Sequence, residues 1–482
     1  NIKNNENIDD KIKRLEELGY QEYVNNKEQR EYYNGNKDNK KMKFYRKVKI
    51  TDNKTYIFVE NEKKGIIPTI LKELMDHRKN TKKLMKKVDK KSFRYDLLDS
   101  QQLAYKLTAN SIYGQMGSKY SQVFKKEIAE STTAVGREQL ELAKKFVLNS
   151  DNFKDYNKDI VYNHDVVYGD TDSIFVKYDC RDNKGNIIKD SYKLREESIR
   201  LGKYTEEKIG EFVLEKPQIL EYEKTFHPFI LLGKKKYIGI KYEEADDNPK
   251  QTNMGVVLKR RDNALILKII YDGIINKLMN DKCILNAKKY LVQELQNLID
   301  GKYDMSKLTI TKRLNATYKD RTKIAHAVLA DRIGVRDPGN KPTAGDRIPF
   351  VHIYKENKKD LLQGDLIEIP DYIKKENLEI DYEYYITNQL EKPISQLLSL
   401  CDLKELFNKE IEDKIIKLSN DKVVKYSKKK IKERDDGKYS QEEIDIKIIE
   451  YEKKEKEKLI GKELFEHYIN LIKEKQMGSD IL

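Results

Sequence analysis

Cysteine is scarce in this 482-residue chain, and long apolar runs are missing from it. The three cysteines, Cys180, Cys283 and Cys401, lie far apart without CxxC spacing. This argues against a disulfide framework and a zinc site, and it fits a reducing compartment. No stretch approaches the roughly 18 consecutive apolar residues that span a bilayer, and the first residues lack the hydrophobic core of a signal peptide. We therefore expect a soluble, intracellular protein with no membrane partner.

Charge of both signs is plentiful. Charged residues make up 37% of the chain, and 96 Lys and Arg against 82 Asp and Glu give a formal net charge of +14. This balance favours an anionic partner, with nucleic acid first, although mixed charges on a solvated surface explain it equally well. The length allows about three domains and a sizeable core.

The spacing of apolar residues predicts both helices and strands. Residues 1–46 are charged throughout and predict a poorly packed helix or an insertion, whereas a strand pattern follows from Lys47. A second helix of the chain is expected to be capped by Asp99 or Ser100 and closed at Gly114 in a left-handed conformation. The other predicted elements are a helix at 65–87 with Pro68 in its first turn, a helix at 129–150, strands around 160–168 and 173–178, a hairpin at 226–243, a mostly helical half from 255, a Gly/Pro-rich loop at 332–350 and a solvated helical hairpin from about 403.

The stretch DVVYGDTDSIFVKYD, residues 165–179, places Asp170 and Asp172 between two runs of strand formers. Residues two apart in an extended chain point to the same face, so the two carboxylates can converge on one point. Clustered carboxylates are hard oxygen ligands, and Mg²⁺ takes one or two of them together with substrate phosphates. A polar hairpin turn is the alternative, because Asp, Gly, Ser and Thr are common turn residues.

Two other stretches place cations at helical spacing. In KLTANSIYG, Lys106, Asn110 and Tyr113 share one helix face and offer a phosphate-neutralising cation, a hydrogen-bonding amide and a flat ring. In DHRKNTKK, Arg78 and Lys82 continue an apolar stripe, as in a helix that leaves the core to meet an anion. A helix face with a partly buried tyrosine and a lysine-rich helix end are the structural alternatives.

A basic cluster beside an aromatic ring occurs in KKKY, residues 234–237, on a predicted strand. Such a cluster suits contact with the phosphates of a nucleic-acid backbone. An edge strand guarded by lysines is the alternative.

Taken in their order along the chain, DHRKNTKK, KLTANSIYG, DVVYGDTDSIFVKYD and KKKY together resemble the B-family DNA polymerases. KLTANSIYG is similar to the family's second polymerase motif and YGDTDSIFV to its third. The stretches MGVVLKRRDNA, TKRLNATYKD, AHAVLADRIGVRDPGNKPTAGDRIPFVHIY and YYITNQLEKPISQLL are similar to its thumb region, as found in members from large DNA viruses of eukaryotes. The resemblance spans roughly residues 63–400.

The resemblance implies an α+β multidomain fold with the right-hand polymerase architecture. Its parts would be an antiparallel-sheet palm, helical-hairpin fingers and a mostly helical thumb. The implied domains are 1–62, a charged N-terminal segment and remnant of the palm; 63–114, the fingers; 115–257, the palm with the YGDTDS hairpin; and 258–482, the thumb with a charged helical extension from about 403.

The implied activity is template-directed DNA synthesis in replication, with nucleotidyl transfer from dNTPs to a primer 3′-hydroxyl and two Mg²⁺ ions as cofactors. Asp170 and Asp172 would be the catalytic residues and metal ligands, with Glu223 as a further metal carboxylate. The implied nucleotide-binding residues are Arg78, Lys82, Lys106, Asn110 and Tyr113. The residues implied to contact primer–template DNA are Lys234, Lys235, Lys236, Tyr237, Lys259, Arg260, Arg261 and Lys312.

The family's first motif, Asp-x-x-Ser-Leu-Tyr-Pro-Ser, has no match, because none of the nine prolines follows Leu-Tyr. No exonuclease carboxylate motif is visible either. We therefore expect the C-terminal polymerase part of a truncated or split enzyme, inactive or nearly so alone. Its partner would be an upstream polypeptide that carries the exonuclease domain and the first motif. The host nucleus and a cytoplasmic viral replication site are both compatible locations.

Two other functions stay open as alternatives. A non-catalytic nucleic-acid-binding remnant, or a subunit of a split polymerase, would keep the basic channel but no metal site. A reverse transcriptase or RNA polymerase would share a similar palm. YGDTDS in place of Tyr-x-Asp-Asp speaks against a reverse transcriptase, and the thumb resemblance speaks against both.

Overall fold

A computed structural model describes the chain in two compact units of mixed helix and sheet. The units are Asn1–Thr225 with Glu243–Asp247, and Phe226–Tyr242 with Asn248–Leu482. The residues described are 20–24, 30–34, 43–51, 54–59, 65–214, 218–245, 248–356, 360–435 and 439–478. No helix among them is long and apolar enough to cross a membrane. The predicted combination of helices and sheets is confirmed.

The first unit opens with an antiparallel meander of four strands. They are β1 Tyr20–Val24, β2 Arg30–Asn34, β3 Lys43–Thr51 and β4 Lys54–Val59, hydrogen-bonded in that order. The strand pattern from Lys47 is confirmed. The helix predicted within 1–46 is wrong for β1, β2 and the start of β3, where tyrosine, phenylalanine and valine suit a strand. The rest of 1–46 lies outside the described residues.

Two long helices follow, α1 Ile66–Met85 and α2 Phe93–Gly117, and they pack against each other. The predicted cap of α2 is wrong: the Ser92 hydroxyl accepts the N–H of Tyr95, so the helix starts before Asp99 and Ser100. Gly114 does not close the helix, which continues to Gly117 because nothing downstream breaks it and Met116 is buried.

The remaining elements of the first unit are α3 Lys126–Leu148, a 3₁₀ turn Ser150–Phe153, β5 Asp165–Asp170, β6 Ser173–Lys177 and α4 Ser191–Phe212. The β5–β6 hairpin contacts α3, which buries Ala143, Phe146 and Val147. The strand predicted over 160–168 begins only at Asp165. The preceding residues bury Ile160 and Tyr162 without joining a strand.

The second unit contains two small sheets and a helical core. Its strands are β7 Thr225–Gly233, β8 Lys236–Tyr242, β9 Lys250–Met254, β10 Ile310–Arg313, β11 Arg347–His352 and β12 Ile367–Glu368, in the orders β7-β8-β9 and β10-β11-β12. Its first helices are α5 Leu265–Met279, α6 Ile284–Ile299, α7 Met305–Leu308 and α8 Ala325–Arg336. Helix α5 is apolar almost all round, as a helix inside a core must be.

The later helices are α9 Pro370–Glu376, α10 Tyr382–Tyr384, a π-helical stretch Tyr385–Leu390, α11 Glu391–Leu398, α12 Leu403–Leu406, α13 Lys409–Asp435 and α14 Gln441–Gly478. Helices α13 and α14 form the predicted hairpin. Its description as solvated is wrong on one face, because Ile460, Phe465 and Ile472 are buried in the core that contains α5. The loop predicted at 332–350 is also shorter than expected, since α8 reaches Arg336 and β11 begins at Arg347.

Candidate functional site

The carboxylate pair lies at the tip of the β5–β6 hairpin. Asp170 ends β5 and pairs with Ser173, so Thr171 and Asp172 form a two-residue turn. The N–H of Asp172 donates to the main-chain oxygen of Asp170 over 2.5 Å, and the Ser173 hydroxyl donates to the same oxygen over 3.1 Å. Asp170 is half-buried and Asp172 is exposed. The position of Asp172 beside Asp170 is therefore set by the turn, and not by the alternation of side chains along a strand as the sequence predicted.

Thr171 holds an uncommon backbone conformation within this turn. Its φ is +51°, in the left-handed region, where a β-branched residue is rare. Its hydroxyl donates to Oδ1 of Asp170 over 2.9 Å, which orients that carboxylate. Backbone strain of this kind clusters at functional sites, where surrounding structure maintains it.

The stem of the hairpin gives the tip a packed base. The Tyr168 and Phe175 rings pair across the strands with centroids 5.2 Å apart. The register shifts between Val166 and Tyr168, so Val167 is the extra residue of a bulge. Bulges re-aim the side chains that follow them, and here those side chains lead directly to Asp170.

The donor atoms at the tip are of the kind that Mg²⁺ binds, but they are few. Asp170 and Asp172 supply hard carboxylate oxygens, which fit a divalent cation. Glu223 lies in the irregular segment before β7, with its side chain 75% exposed and paired with Lys224 at 3.1 Å. Within the described ranges, no group of three or more His, Cys, Asp and Glu side chains is arranged to hold a metal. The two carboxylates are the right kind of ligand for Mg²⁺, but two carboxylates are too few for a complete site.

The five expected nucleotide-binding residues all lie on the α1–α2 hairpin: Arg78 and Lys82 on α1, and Lys106, Asn110 and Tyr113 on α2. Between these helices the His77 and Tyr105 rings stack with centroids 5.6 Å apart, and the Arg78 Nε donates to Oε1 of Gln102 over 3.3 Å.

These side chains differ in how they are held. Arg78 is half-buried, whereas Lys82, Lys106 and Asn110 are exposed and Tyr113 is 37% exposed. In the part of the chain that the structure describes, no hydrogen bond or ion pair holds the side chains of Lys82, Lys106 and Asn110. The hairpin therefore presents two lysines and an amide to solvent, as a surface that receives an anion would.

The KKKY stretch lies at the β7–β8 turn of the second unit. Lys234 and Lys235 form the turn, and Lys236 and Tyr237 begin β8. Gly255 lies so close to this turn that a Cβ built on it would be 2.1 Å from the main-chain oxygen of Lys235. Its φ is +63°. Only glycine suits both conditions. The KKKY turn therefore packs against the segment that leads into the KRRDN loop, residues 259–263.

The KRRDN loop carries Lys259, Arg260 and Arg261, all exposed. Arg260 forms a two-pronged contact with Asp262, at 3.1 Å and 2.8 Å, which lowers the pKa of the Asp262 carboxyl. The expected DNA contact Lys312 lies exposed on β10.

Sequence reasoning missed the residues that hold this loop. Arg347 of β11 and Thr311 of β10 both donate to the main-chain oxygen of Arg261, over 3.2 Å and 3.3 Å. An arginine at the start of an otherwise apolar strand was the available signal. The structure thus brings the loop to the β10–β11 edge, where Lys312 also lies.

Comparisons with a family profile and with individual proteins indicate the same family. The profile of DNA polymerase family B matches residues 15–401. The DNA polymerase of Pyramimonas orientalis virus is 42% identical over 401 residues, which cover 74% of this chain and 32% of that protein. The DNA polymerase of Acanthamoeba polyphaga mimivirus is 42% identical over 290 residues, covering 56% of this chain and 17% of that protein.

A cellular relative and a solved structure are also similar to the chain. The DNA polymerase delta catalytic subunit of Glycine max is 36% identical over 339 residues, which cover 70% of this chain and 29% of that protein. The structure of the family B DNA polymerase from Pyrobaculum calidifontis superposes with a TM-score of 0.48 and 23% identity, over 74% of this chain and 40% of that one. The chain thus spans about a third or less of the curated relatives named here.

Proposed function

Because the chain belongs to DNA polymerase family B, we propose that it provides the polymerising part of a replicative DNA polymerase. The reaction would be transfer of a nucleotide from a dNTP to a primer 3′-hydroxyl, directed by a template strand. The observation that carries this proposal is the family match over residues 15–401, which includes the Asp170–Asp172 turn. The place of action would be wherever viral DNA is copied, in the host nucleus or at a cytoplasmic replication site.

The proposed domains follow the right-hand architecture. The α1–α2 hairpin would be the fingers, assigned to 63–114, although α2 continues to Gly117. The palm would be 115–257 around the β5–β6 hairpin, with 1–62 as its charged N-terminal remnant. The thumb would be 258–482, and α13 and α14 would be its charged helical extension. The packing of α1 against α2 supports the fingers assignment.

Two Mg²⁺ ions, when bound, would activate the primer hydroxyl and neutralise the leaving pyrophosphate. Asp170 and Asp172 would hold them, and Glu223 would join only by giving up its contact with Lys224. The turn at Thr171 would keep the two carboxylates in place before substrate arrives, so little reorganisation is needed during the reaction.

The fingers would position the nucleotide. Lys82 and Lys106 would neutralise the triphosphate together with Arg78, and Asn110 would donate a hydrogen bond to it. Tyr113 would pack beneath the nascent base pair with its exposed ring. A hinged closure of the α1–α2 hairpin would bring these groups to the substrate together.

The second unit would grip the primer–template. The lysines of KKKY, with Tyr237, and the cations Lys259, Arg260, Arg261 and Lys312 would contact backbone phosphates. Such contacts release counterions, so binding is expected to weaken steeply as salt rises. The KRRDN loop and β10 lie together, which supports a common role for their cations.

The carboxylate pair needs a third ligand, and the family's first motif, which supplies it, does not occur in the sequence. We propose that an upstream polypeptide that carries this motif supplies the aspartate, and that residues 1–482 have little or no activity by themselves. The test is primer extension with dNTPs and Mg²⁺, with and without an upstream polypeptide that carries the motif. Extension that needs both chains and is abolished by Asp172→Ala supports the proposal.

Vigorous extension by the 482-residue chain alone, abolished by Asp172→Ala, would overturn the need for a partner. A second candidate function, a non-catalytic nucleic-acid binder, is favoured by the incomplete carboxylate set in the described residues. Primer–template binding that is independent of Mg²⁺, without incorporation even when the upstream polypeptide is present, would establish it. Comparing dNTPs with rNTPs distinguishes a DNA from an RNA polymerase.

A further inference from the structure

The second half of helix α13 carries a dense run of lysines. Residues 422–432 contain six lysines and no acidic residue. Four of the six recur at positions i, i+3, i+4 and i+7, so they share one face of the helix, and all four are exposed. This α13 lysine face consists of Lys425, Lys428, Lys429 and Lys432. It lies beyond residue 401, where the family match ends, and is therefore outside the matched region.

These four side chains differ from the other two lysines of the run. Lys422 pairs with the buried Glu455 of α14 at 2.8 Å, and Lys430 pairs with Glu433 at 2.6 Å. No hydrogen bond or ion pair of the α13 lysine face occurs in the part of the chain that the structure describes. Its lysines include two like-charged pairs at i, i+4, and such pairs weaken a helix. An anion that carries several charges would relieve this repulsion.

The arrangement of the charges suits a row of phosphates. The four lysines extend over about 10 Å of helix axis, at about 1.5 Å per residue. Duplex DNA carries a negative charge about every 1.7 Å of its own axis, so several phosphates lie within reach of such a row. A lone phosphate ion could contact only part of it.

Duplex DNA suits this surface better than a single strand or a membrane does. Proteins that bind single strands without sequence preference stack the bases on aromatic rings. The α13 lysine face contains no ring, and the neighbouring Tyr426 is stacked on Tyr451 of α14 with centroids 4.0 Å apart. Helices that lie on membranes bury a broad apolar face with Trp, Phe or Leu, whereas the exposed apolar residues beside these lysines are Val424 and Ile431.

Helix α14 connects the α13 lysine face to the KKKY turn. The Lys453 side chain of α14 donates to the main-chain oxygen of Leu232 in β7 over 2.9 Å. Two residues further along α14, Glu455 holds the first lysine of the run. Residues two apart project from nearly opposite sides of a helix, so α14 lies between the β7–β8 hairpin and α13. A helix is roughly 10 Å across and one turn of duplex extends over roughly 34 Å, so one duplex can contact both surfaces.

We propose that the α13 lysine face is a second binding surface for duplex DNA, which contacts backbone phosphates without regard to sequence. It extends the contact that the KKKY turn makes, and this continuity rests on the proposed function. The surface adds affinity for the duplex and takes no part in nucleotidyl transfer.

The experiment measures the fluorescence anisotropy of a labelled duplex of about 30 base pairs, roughly 100 Å long, with the full 482-residue chain at several NaCl concentrations. The test variant replaces all four lysines with glutamine, which keeps the helix propensity and removes the charge. The slope of log affinity against log salt should decrease by up to about 3.6, or about 0.9 for each phosphate contact, and affinity should fall about tenfold or more. An unchanged slope overturns the proposal. The substitutions are Lys425→Gln, Lys428→Gln, Lys429→Gln and Lys432→Gln.

A charge-matched control separates this surface from net charge. It replaces four exposed lysines on other helices of the second unit with glutamine, and it should change the slope much less than the test variant does. Equal losses in the two variants overturn the proposal. The control substitutions are Lys289→Gln, Lys374→Gln, Lys375→Gln and Lys404→Gln.

Thermal melting followed by circular dichroism separates lost binding from lost folding. The test variant should melt at the same or a higher temperature than the unmodified chain, because repulsion between like charges has been removed. If it melts lower, the single variants Lys428→Gln and Lys429→Gln take its place. Each should reduce the slope by about 0.9, and no reduction in either overturns the proposal.

Other ligands and a variant of the KKKY turn identify what the surface binds. The test variant should weaken binding of single-stranded DNA less than binding of duplex. Equal weakening, or lost binding of vesicles of phosphatidylcholine and phosphatidylserine with duplex binding intact, overturns the assignment. Lys234→Gln combined with Lys236→Gln tests the proposed function separately. If only this pair weakens duplex binding, the second surface fails and the KKKY contact stands; if only the test variant does, the KKKY contact fails and the second surface stands.

Discussion

The guanidinium of Arg347 donates to the main-chain oxygen of Arg261, 3.2 Å away and 86 residues earlier in the chain. The same group donates to the main-chain oxygen of Thr311 over 2.8 Å and to its hydroxyl over 2.9 Å. One side chain therefore fixes both the KRRDN loop and the strand that carries Lys312. This arrangement makes Arg347 a positioning residue for the proposed DNA contacts.

Replacing Arg347 should loosen the KRRDN loop and weaken primer–template binding. Arg347→Ala is expected to reduce affinity about tenfold, the effect of losing a charged hydrogen-bond set. Arg347→Lys keeps the charge but cannot reproduce the forked contact, so it should behave nearly as Arg347→Ala does. Fluorescence anisotropy with labelled primer–template measures this. If the lysine variant binds as the unmodified chain does, Arg347 acts as a charge alone.

The close approach of Gly255 to the KKKY turn leads to a stability prediction. Gly255→Ala would place a Cβ 2.1 Å from the Lys235 oxygen at a φ of +63°, so the turn must shift. We expect the free energy of unfolding to fall by about 2 kcal/mol or more, from backbone strain plus the clash. Urea unfolding measures it.

The matched control for this substitution is Gly136→Ala in α3, where nothing lies within 4 Å of an added Cβ. Helix propensity there should make the variant neutral or more stable by up to about 1 kcal/mol. Equal destabilisation of the two variants would contradict the close-approach argument.

Local patterns predicted much of what lies near in sequence. The turn-forming residues between two strand-forming runs correctly placed Asp170 and Asp172 at a hairpin tip, and Pro68 correctly marked the first turn of α1. The cap of α2 was missed because Ser92, Asp99 and Ser100 are all good capping residues. Only the chain's path shows that Ser92 is the one with an extended backbone.

Long-range features could not be predicted in this way. The contact between Arg347 and Arg261 joins two segments whose pairing depends on the β10–β11 register. The buried face of α14 was hidden by its many lysines and glutamates, although Phe465 and Ile472 lie at helical spacing. Charge density describes the solvated face of such a helix and says nothing about the other face.

Acid should destabilise the first unit through His164. This histidine is 4% exposed, its Nδ1 accepts the N–H of Asp179 over 3.0 Å, and burial lowers its pKa to about 4. A lowered folded-state pKa means that the unfolded chain binds a proton first as pH falls. The contribution of neutral His164 to the free energy of unfolding is therefore fully present above about pH 6.5. It is lost between about pH 6.5 and 4, and the loss amounts to roughly 3 kcal/mol.

Urea unfolding at several pH values between 7 and 4 measures this loss. His164→Gln keeps an acceptor for the Asp179 N–H but does not titrate, so the dependence of unfolding free energy on pH should decrease by about one proton. His77→Gln, at an exposed histidine of α1, should leave the dependence unchanged. An unchanged dependence in His164→Gln would show that this histidine is not the group responsible.

The ion pair between Arg260 and Asp262 predicts unequal contributions from neighbouring cations to DNA binding. Arg260 is already held by Asp262 at 2.8 Å, whereas no ion pair of Lys259 occurs among the described residues. A contact to a phosphate adds about 0.9 to the slope of log affinity against log salt. Lys259→Ala should therefore reduce the slope by about 0.9, and Arg260→Ala should reduce it by less.

Asp262→Asn should release Arg260 and tighten primer–template binding several-fold. In the Asp262→Asn background, Arg260→Ala should reduce the slope of log affinity against log salt as much as Lys259→Ala does. This double-mutant comparison isolates the effect of the ion pair between Arg260 and Asp262. Asp281→Asn is the control, because it removes an ion pair with Lys277 at 3.2 Å at the end of α5, outside the KRRDN loop. Equal tightening by Asp262→Asn and Asp281→Asn would mean that only net charge matters. Greater tightening by Asp262→Asn is the expected result, because Asp262 neutralises a cation of the loop that Arg347 and Thr311 hold at the edge of β10.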